Sequence, residues 1–125
     1  MTYDKNNIFA KILRKEIPCD KVYENEHALA FKDINPQAKV HVLVIPKGQY
    51  VDVDDFSKNA SKEEIASLMQ AVAEVCKITK VSLTEGGNGF RLIANTGPDG
   101  SQEVPHFHYH VMGGEPMGLR GLRKP

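Results

Sequence analysis

One short run limits the fold of this chain more than any other feature, because histidines and apolar residues alternate along it. The run is His106-Phe107-His108-Tyr109-His110-Val111-Met112. Successive residues of a β-strand point to opposite faces, so the alternation predicts a strand from about Val104 to Met112. One face of that strand carries three imidazoles, each about 7 Å from the next, and the other face is apolar. The apolar face needs a helix or a second layer packed against it.

The remaining pattern supplies that cover and the other strands. Ser61 and Glu64 form a capping box, and an apolar stripe follows at helical spacing, which predicts a long helix from about Lys62 to Lys80. A short helix follows the capping residue Asn7 and is stopped by Pro18. The other predicted strands are Lys21 to Glu24, His27 to Lys32, a central strand His41 to Ile45, and Phe90 to Asn95. The sequence therefore predicts an α+β domain, an antiparallel sheet of about five strands with one long and one short helix.

Composition excludes several classes of protein. The chain has 125 residues, which suits a single domain, and its 16 basic and 16 acidic residues give a net charge of zero. A neutral chain is a poor binder of nucleic acid, and no apolar run is long enough to span a membrane. No signal-peptide pattern follows residues 1–7, and Cys19 and Cys76 are far apart, so we expect a cytoplasmic protein with two reduced thiols and Cys76 in the core.

Three interpretations of the histidine run compete. Three of the five histidines, His106, His108 and His110, share one face of the predicted strand, and His41 begins the predicted central strand. The run could be the solvated face of a half-buried strand, or it could bind zinc, since histidines two apart on a strand can share one ion. No Asp, Glu or Cys lies inside the run to complete a zinc site. Catalysis is the interpretation we favour, because imidazole titrates near neutral pH and can act as nucleophile, acid or base.

The run resembles the signature of the histidine triad (HIT) family of nucleotide hydrolases and transferases, and the resemblance covers nearly the whole chain. It is closest in kind to the bacterial members of the histidine triad nucleotide-binding protein branch. Further similar segments are residues 7–18, 30–38, 41–47 and 95–97, with Gly113-Gly114 and Pro116-Met117-Gly118 near the end.

The resemblance implies a fold and an activity. The fold would be a single HIT-like domain over residues 1–125, with an extended tail over 115–125, paired as a homodimer with a continuous sheet. The activity would be cleavage at the α-phosphorus of purine nucleoside phosphoramidates or aminoacyl-adenylates, through a nucleotidyl-histidine intermediate. The substrate would be an AMP or GMP derivative, with no cofactor and no metal. The alternative is a dimeric regulatory module that binds nucleotides and hydrolyses them incidentally.

The resemblance also assigns catalytic roles. His108 would be the nucleophile and His110 would contact the phosphate oxygens and the leaving group. His106 and His41 would orient His108 and fix its tautomer. Taken alone, His41 reads as a satisfied core histidine on a buried strand. Glu103 stands where some relatives have a serine, and we leave it outside the catalytic set.

The remaining site residues would bind the nucleotide. By similarity Asp33 would accept hydrogen bonds from the ribose hydroxyls, although an Asp here could simply cap a turn. Asn95 would contact the phosphate, with turn capping as its alternative. Backbone N–H groups of the loop before the histidine strand would also bind the phosphate, together with one side-chain amide. The donors would be Gly100, Ser101 and Gln102. By similarity the purine slot would be formed by Ile34, Phe31, Ile8 and Phe9, for which ordinary core packing is the alternative.

Overall fold

The structure, a computed structural model, describes residues 2–118. Its sheet has five antiparallel strands in the spatial order β1-β2-β3-β5-β4. The strands are β1 (Lys21–Glu24), β2 (Ala28–Lys32), β3 (Val40–Pro46), β4 (Phe90–Ala94) and β5 (Tyr109–Gly113). The helices are α1 (Ile8–Leu13), α2 (Val53–Asn59) and α3 (Lys62–Ile78), with a 3-10 turn at Leu83–Glu85. The predicted α+β fold with a five-stranded antiparallel sheet is confirmed. No helix within the described residues is long and apolar enough to cross a bilayer.

Strand β3 occupies the centre of the sheet, as its continuous apolar sequence predicts. It pairs with β2 on one side and with β5 on the other, and the register sets Leu43 opposite both Phe31 and His110. Alternate β3 residues contribute to different cores. Val42 and Val44 belong to one apolar cluster, and Leu43 and Ile45 belong to the other. The sheet therefore has helices on both faces, and nearly all of β3 is buried.

The two cores are of unequal size. Helix α3 packs on one face through the buried side chains Leu68, Val72 and Val75, where it meets Phe107 and Val111. Its predicted capping box is present, since Ser61 accepts from the Glu64 N–H and the Glu64 carboxylate accepts from the Ser61 N–H. Cys76 lies in this core, as predicted, whereas Cys19 is exposed.

Helix α1 covers the other face of the sheet. Its N-cap is Asn7, whose side chain accepts from the Ala10 N–H at 2.9 Å. Phe9 and Ile12 pack there against Leu29 and Phe31. This short helix leaves part of the sheet face open, and the histidines of β3 and β5 lie at that opening.

The predicted histidine strand begins later than the sequence indicates. Strand β5 starts at Tyr109 and not at Val104, so His106 and His108 precede the strand and only His41 and His110 lie on strands. The ladder is absent before Tyr109 because the Phe107 N–H donates to the Tyr50 carbonyl, at 2.8 Å, instead of to a neighbouring strand. Helix α2 was not predicted. Asp52 caps it by accepting from the Asp55 N–H.

Candidate active site

A pocket of about 620 Å³ opens on the α1 side of the sheet. Helix α1, the β2–β3 connection, strands β3 and β5, and the loop after β4 all contribute to its wall. The predicted site residues that line it are His108, His110, His41, Asp33, Ile34, Ile8, Phe9, Phe31, Asn95 and Ser101. His106, Gly100 and Gln102 do not line it. Tertiary packing thus gathers most of the predicted residues around one cavity.

His108 presents an unprotonated nitrogen to this cavity. Its Nδ1 lies 2.7 Å from the carbonyl oxygen of His106, and because a carbonyl only accepts, Nδ1 carries the hydrogen. Burial lowers the pKa of His108, against the opposing effects of that hydrogen bond and of Asp33 and Glu103. The ring is therefore neutral near pH 7, and its Nε2 keeps a free lone pair. That is the tautomer a nucleophilic histidine requires.

His110 carries its hydrogen on the opposite nitrogen. The Gln37 N–H donates to His41 Nδ1 at 3.0 Å, so the hydrogen of neutral His41 lies on Nε2. His41 Nε2 is 2.9 Å from His110 Nδ1 and donates to it, which leaves the hydrogen of His110 on Nε2. Burial, followed by the neighbouring His108 and His41, lowers the pKa of His110 to about 4. His110 therefore offers an N–H donor, with its ring centroid 5.0 Å from that of His108.

His106 takes part in a different way from the one predicted. Its ring is fully buried and donates from Nε2 to the Pro46 carbonyl at 2.9 Å. Its two ring nitrogens are hydrogen-bonded to Pro46 and Tyr3 and not to the His108 ring. The backbone carbonyl of His106 sets the tautomer of His108, which corrects the predicted role of the imidazole. Burial lowers the pKa of His106 to about 4, so this ring is neutral as well.

The structure corrects a second expectation, that backbone N–H groups of the loop before the histidine run are available to bind phosphate. The N–H groups of Gly100, Ser101 and Gln102 donate to the carbonyls of Thr96, Pro98 and Gly97, respectively. The loop from Gly97 to Ser101 is a series of tight turns, and such turns close by internal hydrogen bonds. These three N–H groups are therefore engaged within the loop. The Gln102 amide is engaged too, because its Nε2 donates to the carbonyls of Val51 and Val104.

Asp33 performs the turn role and still faces the pocket. Its Oδ1 accepts from the Asn35 N–H at 2.8 Å, as a turn-capping Asp does. Its Oδ2 lies 3.4 Å from His41 Nε2, so the carboxylate is tied to the histidine chain. Burial lowers the pKa of His41, and the nearby Asp33 carboxylate opposes that effect.

The apolar residues assigned to the purine slot divide into two groups. Ile34 is 86% exposed and Ile8 is 42% exposed, too open for ordinary core residues. Phe9 and Phe31 are buried and meet edge to face, with ring centroids 5.5 Å apart. All four side chains line the pocket, and an apolar lining with two aromatic rings suits a flat apolar ligand.

Two carboxylates line the pocket, and no Lys or Arg from the described part of the chain does so. Asp33 was predicted, but Glu103 was left out of the site. Its sequence position, three residues before the histidine run, is the only signal that could have found it. Cys19, Asn35 and Gln37 also line the cavity without having been predicted.

Asp33, His41 and His110 could together hold a metal ion. One ligand atom from each lies within 4.8 Å of the others. A hydrogen bond already joins His41 to His110, and the Asp33 carboxylate lies close to His41. The three residues therefore form a hydrogen-bonded histidine pair beside a carboxylate.

Comparison with known proteins identifies the family. The family model described as "HIT domain" matches residues 14–117. A 13.2 kDa HIT-like protein of Azospirillum brasilense is 57% identical over 117 residues, covering 94% of this chain and 93% of the relative. The purine nucleoside phosphoramidase of Escherichia coli K12 is 43% identical over 116 residues, covering 91% and 92%.

Solved structures share the fold. A HIT family hydrolase from Clostridium thermocellum superposes with a TM-score of 0.81 at 38% identity, covering 92% of this chain and 96% of that one. A histidine triad protein from Clostridium difficile gives a TM-score of 0.77 at 37% identity, covering 93% and 96%. The family model spans most of the chain, and relatives well above 30% identity cover nearly all of it. This chain belongs to the HIT domain family.

Proposed function

We propose that this protein is a purine nucleoside phosphoramidase that cleaves at the α-phosphorus through a nucleotidyl-His108 intermediate. One observation carries the proposal. His108 holds its hydrogen on Nδ1 and so keeps the Nε2 lone pair free in a pocket that His110 also lines. The likeness to the Escherichia coli K12 protein named purine nucleoside phosphoramidase supports the substrate class. Aminoacyl-adenylates have the same α-phosphorus and belong to the proposed substrates.

The first chemical step would form a bond from His108 Nε2 to phosphorus. The P–N bond to the amine breaks, and its electron pair leaves with the amine, which takes up a proton from solvent while His110 Nε2–H donates a hydrogen bond to a phosphate oxygen. In the second step water attacks the phosphorus and gives a proton back to solvent. The bond from His108 to phosphorus breaks, and the nucleoside monophosphate is released with His108 in its starting tautomer.

The other pocket residues would bind the nucleotide. Asp33 would accept hydrogen bonds from the ribose hydroxyls. The purine would lie among Ile8, Ile34, Phe9 and Phe31. Asn95 and the Ser101 side chain would face the phosphate. Because the N–H groups of the loop are engaged within it, we expect the phosphate to depend on side chains and on His110.

Turnover of a fluorogenic adenosine phosphoramidate tests the proposal. Replacing His108 with Ala should lower kcat/KM by about three orders of magnitude or more while AMP still binds, because the nucleophile acts mainly in the transition state. His27→Ala removes a histidine outside the pocket and is the matched control. Substantial turnover by His108→Ala, or failure to trap a nucleotidyl adduct on the wild-type chain, would exclude the covalent mechanism.

We also propose a homodimer, as the family resemblance implies. Strand β4 is an edge of the sheet, and Phe90 on it is 43% exposed. Met69 on α3 is 46% exposed, an apolar residue that a partner could cover. Light scattering coupled to size exclusion tests this, with a monomer mass as the contrary result. The extended tail was predicted over 115–125, and its residues 119–125 lie outside the described residues.

A further inference from the structure

The side chain of Tyr3 lies against the ring of His106, and neither residue lines the pocket. Its hydroxyl oxygen is 2.5 Å from His106 Nδ1. The two rings meet edge to face, with centroids 5.5 Å apart and planes at 71°. Tyr3 precedes residues 14–117, the part of the chain that the family model matches. The contact therefore comes from a segment outside the matched domain.

The direction of the hydrogen bond follows from the other end of the ring. His106 is neutral and donates from Nε2 to the Pro46 carbonyl, so its Nδ1 has only a lone pair. The Tyr3 hydroxyl must then be the donor. Burial raises the pKa of Tyr3, which keeps the hydroxyl protonated near neutral pH. His106 is 0% exposed, so bulk water does not reach Nδ1 in this conformation.

The backbone beside this ring makes two hydrogen bonds of its own. Its carbonyl accepts the hydrogen of His108 Nδ1, and the next N–H, that of Phe107, donates to the Tyr50 carbonyl. We propose that Tyr3 is a positioning residue: by fixing the tautomer and orientation of the His106 ring, it holds the His106 carbonyl where it keeps the hydrogen of His108 on Nδ1. The catalytic consequence rests on the proposed function, whereas the effect on the tautomers does not.

Removing the Tyr3 hydroxyl leaves His106 Nδ1 without a donor in a closed site. The ring can then recover a partner for Nδ1 only by rotating, and rotation weakens the bond to Pro46. The His106 carbonyl loses its support, and a fraction of His108 takes the tautomer with the hydrogen on Nε2. That fraction cannot attack phosphorus.

The test compares Tyr3→Phe with Tyr23→Phe, which removes the same hydroxyl from a half-buried tyrosine of β1. We expect Tyr3→Phe to lower kcat about tenfold with KM and AMP affinity unchanged, since only the orientation of the nucleophile is affected. Long-range ¹H–¹⁵N spectra should show the His106 and His108 nitrogens shifted in this variant alone. Tyr23→Phe should match the wild type in both measurements.

Two outcomes would overturn the proposal. One is a Tyr3→Phe variant with kcat within twofold of wild type and unchanged histidine nitrogen shifts. The other needs no variant: a wild-type spectrum with the His106 hydrogen on Nδ1 excludes Tyr3 as the donor. If the wild-type chain turns over no phosphoramidate, the proposed function fails, and the His108 nitrogen shifts of Tyr3→Phe alone decide on Tyr3.

Discussion

At the scale of single residues, His108 and His110 differ in the nitrogen that holds the hydrogen, although both are neutral near pH 7. The His106 carbonyl holds the hydrogen of His108 on Nδ1, and His41 forces that of His110 onto Nε2. A lone pair and an N–H donor are thus offered within one pocket. Backbone groups set both roles, since the chain of donors that reaches His110 begins at the Gln37 N–H.

The pH dependence of catalysis follows from the lowered pKa of His108. Protonation removes the attacking lone pair, so kcat/KM should be flat from about pH 8 down to the ordinary histidine value of 6.5 and fall only below it. The Glu103 carboxylate favours the protonated ring, so Glu103→Gln should move this acid limb to lower pH. Glu85→Gln, an exposed carboxylate away from the pocket, is the control. An acid limb that moves upward in Glu103→Gln would contradict the assignment.

Recognition of ribose is the second prediction at this scale. We expect 2′-deoxy-AMP to bind about tenfold or more weakly than AMP, because it lacks one hydrogen bond to a charged acceptor. Asp33→Ala should weaken AMP and remove the difference between the two ligands. Asp20→Ala, which changes an exposed Asp outside the pocket, should keep it. Calorimetric titration measures both affinities, and equal wild-type affinities for the two nucleotides would assign Asp33 to the turn alone.

At the scale of elements, the side chain of Gln102 joins the loop after β4 to a distant segment of the chain. Gln102 accepts from the Gly97 N–H and donates to the carbonyls of Val51 and Val104. Its amide thus joins both ends of the loop to the segment that precedes α2. Asn95 and Ser101, which line the pocket, lie on this loop and depend on that tie.

Gln102→Ala tests the tie. It leaves partly buried backbone groups without partners, which should cost about 1–3 kcal/mol of unfolding free energy. It should also lower kcat/KM, because the loop residues at the pocket lose their fixed positions. Gln70→Ala, an exposed site on α3, should change neither quantity. Urea unfolding and steady-state kinetics give the two readouts, and wild-type values for Gln102→Ala would show that the loop is held by other contacts.

At the scale of the whole molecule, the sheet has the larger apolar core on one face and the candidate site on the other. Helix α3 and the large apolar cluster cover one face, while α1 covers only part of the other and leaves the pocket open. The separation is not complete, because three of the buried polar side chains are the histidines His41, His106 and His108. Their burial in neutral form links the stability of the fold to pH.

Stability should fall as the solution becomes acidic. The pKa of His106 is about 4 in the folded chain and 6.5 as its ordinary value, so below pH 6.5 the unfolded chain takes up a proton that the folded chain does not. The loss from this residue alone is about 2 kcal/mol by about pH 5, and the other lowered histidines act in the same direction. Urea unfolding at several pH values measures it, with His27→Asn as control. An unfolding free energy that stays constant from about pH 7 to 5 is the contrary result.

The sequence alone determined most of the elements and the residue types of the site, although it missed α2 and set the start of β5 too early. Period-two alternation placed the strands, the Ser61–Glu64 capping box began α3, and the continuous apolar run put β3 at the centre of the sheet. These features are local, because side-chain direction and helix capping depend on neighbours within a few residues. The residue types of the site could also be predicted, from the histidine run and from the segments that resemble the HIT family.

Only the tertiary structure decided how those residues act. The carbonyl bonded to the His106 ring is 60 residues away, and the hydroxyl that bonds its other nitrogen is 103 residues away. Such distant partners also decide where the β5 ladder begins and which tautomers His106 and His110 take. A hydrogen bond forms where packing brings donor and acceptor together, and no local pattern records which distant group will fill that place.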